Sequence, residues 1–318
     1  MFRFAILGAG KIAVKFAGAV KLIEGCEVCA AGSHDLDKAR DFCEKNGIRN
    51  AYGDYGELLD KEKPDAVYIA SVPSMHFDAV MLCLGRGIPV LCEKAMFRSS
   101  SEAGTAFSYA EEKGVFLMEA LWSKFLPANK WAKEKLLSGA IGEVCVTDCM
   151  IGFRAPEDDN NRYFSPLLAG GAATDITVYA YEITAFLLGR EPEIRAVSAV
   201  PYHTGVDAYE TVSMQTGKVL STVRTSFVCD FDDAFTAVGT KGKLVVPHPH
   251  WASEAFLFGE DGALIAHFTD KETENGFVYE INEVISCVKA GKTESAVQTH
   301  ANTVACAELF DRIYEAMR

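Results

Sequence analysis

The sequence contains no long hydrophobic run. No stretch approaches the roughly 18 consecutive apolar residues that a membrane-spanning helix needs. The first apolar segment, residues 4–7, ends at Gly8, which is too early for a secretory signal peptide. We therefore expect neither membrane insertion nor export, and we expect the protein to reside in the cytoplasm.

Basic side chains are also scarce relative to acidic ones. The 318 residues include 31 lysines and arginines against 44 aspartates and glutamates, which gives a formal net charge of −13. This negative charge repels nucleic-acid backbones and anionic lipid, so neither is an expected partner. Hydrophobic residues at 49% and charged residues at 24% are ordinary globular values, and they predict a folded, soluble protein.

The ten cysteines are scattered and do not form a recognisable framework. Cys26 and Cys29 make a C-x-x-C, but no second pair follows at zinc spacing, and an offset of three on a strand turns the thiols to opposite faces. His248 and His250 alternate without a third ligand nearby. We expect reduced thiols and no bound metal.

The first part of the chain alternates short apolar runs with longer amphipathic stretches. Strands are predicted at 2–7, 28–31, 66–71, 88–92 and 115–118, and helices at 11–23, 35–45, 55–60, 74–84 and 99–113. Apolar strands that alternate with helices indicate a parallel sheet covered on both faces. Residues 1–121 are therefore predicted to form a doubly wound α/β domain of Rossmann type.

The pattern changes after a predicted helix at 127–137. Strands are predicted at 144–152, 195–202, 211–215, 219–227, 234–238 and 243–246, joined by short turns that favour antiparallel pairing. Helices are predicted at about 172–188, 277–290 and 299–317. Residues 122–318 are therefore predicted to form an α+β domain with a largely antiparallel open sheet.

A G-x-G-x-x-A motif joins the first strand to the first helix. Gly8 permits the tight turn, Gly10 allows a pyrophosphate to approach the backbone, and Ala13 allows close helix–strand packing. The helix N-terminus, which begins with Lys11 and Ile12, offers unpaired N–H groups to an anion. The motif predicts a dinucleotide site rather than a purely structural turn.

The end of the second strand decides between NAD and NADP. Ser33 aligns with the position where an NAD site usually has an acid. Ser33 and His34 tolerate a 2′-phosphate, and Lys38 and Arg40 add positive charge, which favours NADP. Two alternatives stay open: Asp35 as the ribose ligand of NAD after a shift in register, or Ser33 and Asp35 simply as helix caps.

Two further segments contain side chains suited to catalysis. Glu93 and Lys94 end a strand at the sheet edge where α/β folds bind ligands. Asp175 and Tyr179 lie four residues apart on a predicted helix, which puts both on one face. The simpler interpretations are a solvated lysine, a first-turn acid and a core aromatic residue.

Together these segments resemble the glucose-fructose oxidoreductase and inositol dehydrogenase (Gfo/Idh/MocA) family, nearly end to end. Within the family the chain is similar to the dimeric dihydrodiol dehydrogenases, which also oxidise D-xylose with NADP. Ala95 stands where the family has a proline, and residues 154–166 have no clear counterpart. The matching segments are Gly8-Ala9-Gly10, Ser71-Val72-Pro73-Ser74-Met75-His76, Cys92-Glu93-Lys94, Gly170-Gly171 through Asp175 and Tyr179, and Gly239-Thr240-Lys241-Gly242-Lys243-Leu244.

The resemblance implies hydride transfer between a nicotinamide and a secondary alcohol or hemiacetal carbon of a sugar, polyol or trans-dihydrodiol. Tyr179 would exchange the proton, Lys94 would lower its pKa and bind the substrate oxygen, and Asp175 would orient the pair. Trp122 and Phe153 would form an apolar wall for the substrate or simply pack at the domain junction. The implied cofactor contacts include Ser71, Pro73, His76, Glu93 and Lys94.

The resemblance also implies that residues 122–318 bind substrate and mediate oligomerisation, as a homodimer or larger homo-oligomer. Two alternatives remain at this point. A cofactor-binding regulator on the same scaffold would sense nucleotide or sugar without turnover, although it would not need the proton-carrying residues. An NADPH-dependent reductase of a keto-sugar would run the same chemistry in the opposite direction.

Overall fold

The computed structural model describes all 318 residues. By their internal contacts the residues form two units: Met1–Trp122 with Glu274–Val304, and Ser123–Thr273 with Ala305–Arg318. The division from sequence placed residues 274–304 in the second domain, whereas they pack with the first unit.

The first unit contains a six-stranded sheet in the order β3-β2-β1-β4-β5-β6, with every neighbouring pair parallel. This confirms the predicted doubly wound α/β class. The strand order reverses between β1 and β4, which is where open α/β sheets form a ligand crevice at their carboxyl edge. The strands are β1 (Phe2–Leu7), β2 (Cys26–Gly32), β3 (Asn50–Tyr52), β4 (Ala66–Ile69), β5 (Val90–Glu93) and β6 (Leu117–Ala120).

The helices of this unit begin and end where local signals predict. Asp35, Asp54 and Ser99 each accept a backbone N–H at a helix start, which satisfies donors that the helix leaves unpaired. Gly47 and Gly114 end two helices in the left-handed conformation. The helices are α1 (Lys11–Lys21), α2 (Leu36–Asn46), α3 (Tyr55–Glu62), α4 (His76–Leu84) and α5 (Ser100–Lys113).

The second unit contains an eight-stranded sheet in the order β14-β13-β12-β11-β7-β10-β9-β8. Only β7 and β10 pair in parallel, which confirms the predicted α+β class with a largely antiparallel sheet. The strands are β7 (Val144–Gly152), β8 (Glu193–Pro201), β9 (Asp207–Thr216), β10 (Val219–Ser226), β11 (Ala234–Gly239), β12 (Gly242–Pro247), β13 (Glu254–Gly259) and β14 (Leu264–Thr269).

Two helices cover one face of this sheet. Helix α6 (Pro127–Leu137) contacts β12, β13 and β14, and α7 (Val178–Leu188) contacts β7 and β10. A π-helical turn, Ala173–Thr177, precedes α7 without interruption. The single helix predicted for residues 172–188 is therefore a π turn followed by an α-helix.

Two further helices complete the chain, α8 (Phe277–Lys289) and α9 (His300–Ala316). Helix α8 packs against α1 in the first unit, and the Asn275 side chain before it donates to the Lys15 carbonyl at 2.9 Å. No α-helix of the structure combines the length and the apolar character that crossing a membrane requires.

Candidate active site

The glycine turn of the first unit has the shape that a pyrophosphate needs. Gly8 has a φ of +107°, and a Cβ there would lie 2.7 Å from the Ala70 carbonyl carbon and from the Ser71 nitrogen. Gly10 precedes α1, where a Cβ would meet only the Ala70 oxygen at 3.7 Å. No side chain caps α1 and no acid lies in its first turn, so its positive end is available to an anion.

These two glycines predict different mutant behaviour. Gly8→Ala forces a Cβ against backbone atoms at a positive φ, so we expect lower thermal stability and weaker dinucleotide binding. Gly10→Ala has room in the protein, so we expect near-normal stability with at least about tenfold weaker binding. Thermal unfolding and fluorescence titration with NADP measure the two effects. Normal affinity in Gly10→Ala contradicts the assignment of this turn.

The end of β2 shows how the candidate ribose-binding residues are used. The Asp35 carboxylate accepts the N–H groups of Asp37 at 3.0 Å and Lys38 at 3.2 Å, so it caps α2. The Ser33 hydroxyl accepts the Asp35 N–H at 3.3 Å. His34 is exposed and its ring lies 4.7 Å from that of Tyr55. The capping roles of Ser33 and Asp35 weighed from sequence are therefore present.

The backbone around Lys94 is held on both sides. Before it, Glu93 is buried and accepts the Tyr68 hydroxyl. After it, the Ala95 carbonyl oxygen lies 2.9 Å from His76 Nδ1, and the Met96 N–H donates to Glu119 at 2.9 Å. Lys94 itself is half-buried at the carboxyl end of β5.

These contacts matter because Ala95 stands where the family that the sequence resembles has a proline. Sequence alone left open how rigidly an alanine there presents Lys94. The Lys94–Ala95 peptide bond is cis, and Ala95 is fully buried. A buried side chain from α4 packs against the carbonyl of Ala95, and one from β6 accepts the N–H of Met96, so long-range contacts fasten this segment without a proline.

His76 supports this edge of the sheet from inside. Its side chain is fully buried, and its ring nitrogens lie 2.9 Å from the Ala95 oxygen and 3.0 Å from the Ser71 oxygen. Burial lowers its pKa, and a neutral imidazole donates from only one nitrogen. The ring therefore packs between the two loops and donates to only one of these carbonyls, and it has no exposed surface for the cofactor contact expected from sequence.

A buried carboxyl that sequence analysis missed lies in the same unit. Glu280 on α8 is fully buried, and neither of its oxygens has a hydrogen-bond partner. Burial raises its pKa well above the usual range, and the charge of Glu93 raises it further. Glu280 is therefore expected to be neutral. The sequence gives no sign that Glu280 is buried, because an acid at intervals of a few turns is ordinary in an amphipathic helix.

The second unit presents the other candidate catalytic residues. Asp175 lies in the π turn and accepts two hydrogen bonds from the Arg162 guanidinium, at 3.0 and 3.5 Å. Tyr179 lies in α7, half-buried, with its ring 5.8 Å from that of His250. The regular i, i+4 spacing assumed from sequence crosses the junction between the π turn and α7.

Arg162 ties the segment 154–166 to this helix. Although partial burial opposes it, the charges of Asp175 and Tyr179 raise the pKa of Arg162, and so does its hydrogen bond with Tyr163. Its guanidinium also lies 4.5 Å from the Tyr163 ring. Arg162 lies thirteen positions before Asp175, so no local spacing in the sequence links the two residues.

The two aromatic residues proposed as a substrate wall each have neighbours in their own unit. Trp122 stacks on Phe277 at 5.3 Å. Phe153 lies 5.5 Å from Tyr163 and 5.3 Å from Phe227. Both therefore contribute to aromatic packing, and their contact with a substrate stays a prediction.

The C-x-x-C motif lies in β2, as expected. Burial raises the pKa of Cys26 and of Cys29 to about 11, so both stay protonated near neutral pH. This suits the structural interpretation made from sequence.

Comparison with known proteins finds two family models and several relatives that match this chain. Residues 2–121 match the model of an oxidoreductase family with an NAD-binding Rossmann fold, and residues 130–245 match a GFO/IDH/MocA C-terminal domain. Trans-1,2-dihydrobenzene-1,2-diol dehydrogenase of Mus musculus is 32% identical over 324 residues, which cover 99% of this chain and 96% of the relative.

Two solved structures share the fold. One is a 3-ketoreductase from Actinomadura kijaniata in complex with NADP and TDP-benzene, with a TM-score of 0.89 and 21% identity over 100% of this chain and 98% of that one. The other is aldose-aldose oxidoreductase from Caulobacter crescentus, with a TM-score of 0.87 and 20% identity over 99% of this chain and 97% of that one.

The fold and the glycine turn together define an oxidoreductase with a Rossmann domain for a nicotinamide cofactor. The chain belongs to the GFO/IDH/MocA oxidoreductase family, which confirms the resemblance seen in the sequence.

Proposed function

We propose that the protein is an NADP-dependent dehydrogenase or reductase acting on the CH–OH group of a sugar, polyol or trans-dihydrodiol. The observation that carries this proposal is the anchored Lys94 segment at the carboxyl end of β5. The Glu93 side chain, the Ala95 carbonyl and the Met96 N–H are all held by buried partners. A cation presented from a fixed backbone suits the binding of a substrate oxygen.

The residues of the first unit fit a bound dinucleotide. The pyrophosphate would be held at the uncapped start of α1, which is formed by Gly8, Gly10, Lys11 and Ile12. The neighbouring strand β4 is followed by Ser71 and Pro73, which would also contact the cofactor. When bound, the nicotinamide supplies or accepts the hydride.

The choice of NADP rests on the end of β2. Asp35 already accepts two backbone N–H groups as the cap of α2, which disfavours it as a ribose ligand. Ser33, His34 and Lys38 then offer a hydroxyl, an exposed imidazole and an exposed ammonium to a 2′-phosphate.

The chemistry assigned to this chain's own residues is proton transfer. Tyr179 exchanges a proton with the substrate oxygen, Lys94 stabilises the phenolate and Asp175 orients the pair. A free tyrosine has a pKa of about 10, so a neighbouring cation is needed for it to act near neutral pH. The two hydrogen bonds from Arg162 support the orienting role, because they restrain the Asp175 carboxylate.

The proposed substrate class follows the relatives. The mouse relative is named for a trans-dihydrodiol, and the structurally similar proteins are named for a ketone reduction and for aldoses. Trp122 and Phe153 are proposed to contact the substrate ring, because a flat apolar face suits both a cyclohexadiene and a sugar.

A turnover screen tests the proposal directly. The purified protein is assayed with NADP and with NAD against pentoses, hexoses, inositols and cyclic trans-diols, following nicotinamide absorbance. We expect turnover with at least one alcohol and a kcat/KM that is at least about tenfold higher with NADP than with NAD. Cofactor binding without turnover on any compound of the panel would instead support the alternative function, a cofactor-binding regulator on the same scaffold.

The same proposal includes a homodimer formed through the open face of the second sheet. Val146, Leu220 and Val238 are directly opposite one another across β11, β7 and β10, and each is 40% exposed or more. An apolar row of this kind on a sheet face suits burial against a second copy. Sedimentation velocity is expected to show a dimer that Leu220→Asp converts to a monomer, and a monomeric wild type would contradict the proposal.

A further inference from the structure

Two buried acids lie on β9 beneath the start of the helix that carries Tyr179. Asp207 is fully buried and Glu210 is 3% exposed. An offset of three residues on a regular strand would turn one of them outward. The register between β8 and β9 shifts between Val200 and Pro201, so that β9 has an extra residue there. This bulge turns both carboxyls to the inner face.

Both carboxyls hold the π-helical turn Ala173–Thr177. Asp207 accepts the N–H of Ala173 at the first residue of the turn. Glu210 accepts the hydroxyl of Thr177 at its last residue, and that hydroxyl also lies 2.6 Å from the Thr225 hydroxyl on β10. The turn is therefore fastened at both ends.

A glycine makes the first of these contacts possible. Gly171 has a φ of +124°, and a Cβ at this position would collide with the Asp207 carboxylate. The glycine at position 171 therefore does more than end the preceding loop. It lets a carboxylate reach the helix start from the sheet.

Each carboxyl has one oxygen left over. Asp207 Oδ1 and Glu210 Oε2 are buried and have no hydrogen-bond partner. Burial raises the pKa of both groups, and the charge of Asp207 raises that of Glu210 further. The two acids hold opposite ends of the same five-residue turn, so two carboxylates placed there would repel each other. One proton shared between them would relieve the repulsion and give both remaining oxygens a partner.

We propose that Asp207 and Glu210 form a proton-sharing pair that positions the π turn, and through it Asp175 and Tyr179. Asp207 is the ionised member, because its carboxylate meets the positive end of the helix. Glu210 is the protonated member and donates its proton to Asp207. Both are positioning residues, and the effect on turnover rests on the function proposed above for Asp175 and Tyr179.

The surroundings of the pair define its pH dependence. The backbone N–H groups of Ala172 and Ala173 face Asp207, and the hydroxyls of Thr177 and Thr225 face Glu210. No basic side chain is among the groups that shift either pKa. An acid whose pKa is raised by folding stabilises the fold at low pH and loses that contribution as the pH rises. The two acids are therefore expected to hold the π turn less firmly as the pH rises into the alkaline range.

Removal of the acid that contacts the helix is the first test. Asp207→Ala is expected to lower kcat by about 10- to 100-fold, because the catalytic side chains lose their alignment. The KM for NADP is expected to change by less than about twofold, and amide hydrogen exchange in residues 172–179 is expected to accelerate. Asp207→Asn keeps an acceptor for Ala173 and is expected to restore most of the activity.

The second test addresses the shared proton. Glu210→Gln keeps an acceptor for Thr177 and a donor for Asp207, so it is expected to fold and turn over normally at neutral pH. As the pH rises from the ordinary pKa of a glutamate, about 4.3, into the alkaline range, the wild type should lose thermal stability faster than this variant, because only the wild type has a proton to lose. If the thermal stability of the wild type and of Glu210→Gln depends on pH in the same way, the two acids do not share a proton.

A matched control separates this role from general destabilisation. Asp270 in the same unit also accepts backbone N–H groups, those of Glu272 and Thr273, away from the helix. Asp270→Ala is expected to leave kcat unchanged. Unchanged exchange in residues 172–179 of Asp207→Ala overturns the positioning role. The exchange experiment needs no substrate, so absence of turnover in the wild type contradicts only the proposed function.

Discussion

Replacement of Tyr179 by phenylalanine is expected to lower kcat by about 100-fold or more and to leave NADP affinity nearly unchanged. The phenol is the proposed proton carrier, and phenylalanine keeps the ring and its packing while removing the hydroxyl. The glycine turn proposed to hold the cofactor lies in the first unit, whereas Tyr179 lies in α7 of the second. Loss of the proton carrier should therefore act on turnover rather than on cofactor binding.

The same helix offers a matched control. Tyr181 is buried two residues further on, and its hydroxyl donates to Glu191 at 3.1 Å. Tyr181→Phe is expected to lower stability by about 1 kcal/mol through the lost hydrogen bond, with kcat preserved. Steady-state kinetics with the best substrate of the screen measure both variants. Equal kcat in Tyr179→Phe and the wild type removes Tyr179 from the mechanism.

The second large effect concerns the stability of the second unit. Lys124 Nζ lies 2.5 Å from Glu182 Oε2, and both side chains are almost completely inaccessible to solvent. Lys124→Met leaves the Glu182 carboxylate buried without its counter-charge, so we expect the free energy of unfolding to fall by about 3 to 5 kcal/mol. Urea unfolding, monitored by tryptophan fluorescence, measures the change.

The double variant shows whether the pair or the packing matters. Lys124→Met combined with Glu182→Leu removes both charges and fills the space with apolar atoms, which is often neutral or stabilising. We therefore expect it to recover most of the loss. A decrease below about 1 kcal/mol in Lys124→Met would mean that water or another group compensates the carboxylate.

The elements with strong local signals could be predicted from sequence. The βα alternation predicted the parallel sheet, and Asp35 and Ser99 mark helix starts as N-caps do. Strands β3, β13 and β14 were not predicted. β3 has only three residues, and every side chain of the edge strand β14 is at least partly exposed, so both have weak signals. β13 alternates half-buried with buried side chains over four residues, and this pattern was overlooked. The π turn was missed because its residues also fit an α-helical pattern.

The candidate site was predictable only in part. The glycine turn and the Glu93-Lys94 segment follow strands in the order that a doubly wound domain requires, so their chemistry is readable along the chain. The residues that support them come from elsewhere: Glu119 reaches Met96 across 23 positions, and Asp207 reaches Ala173 across 34. No local pattern links residues so far apart.

Local patterns alone were sufficient for the fold class and the dinucleotide turn, because each depends on neighbours within about one helical turn or one strand. The candidate proton carriers were indicated by the resemblance to a known family, and their role stays a prediction. Tertiary structure decided which acids are buried. Glu280, Asp207 and Glu210 are ordinary carboxyls in the sequence, and only folding takes them out of water. Desolvation depends on what covers a group from every side, so their raised pKa values are properties of the fold.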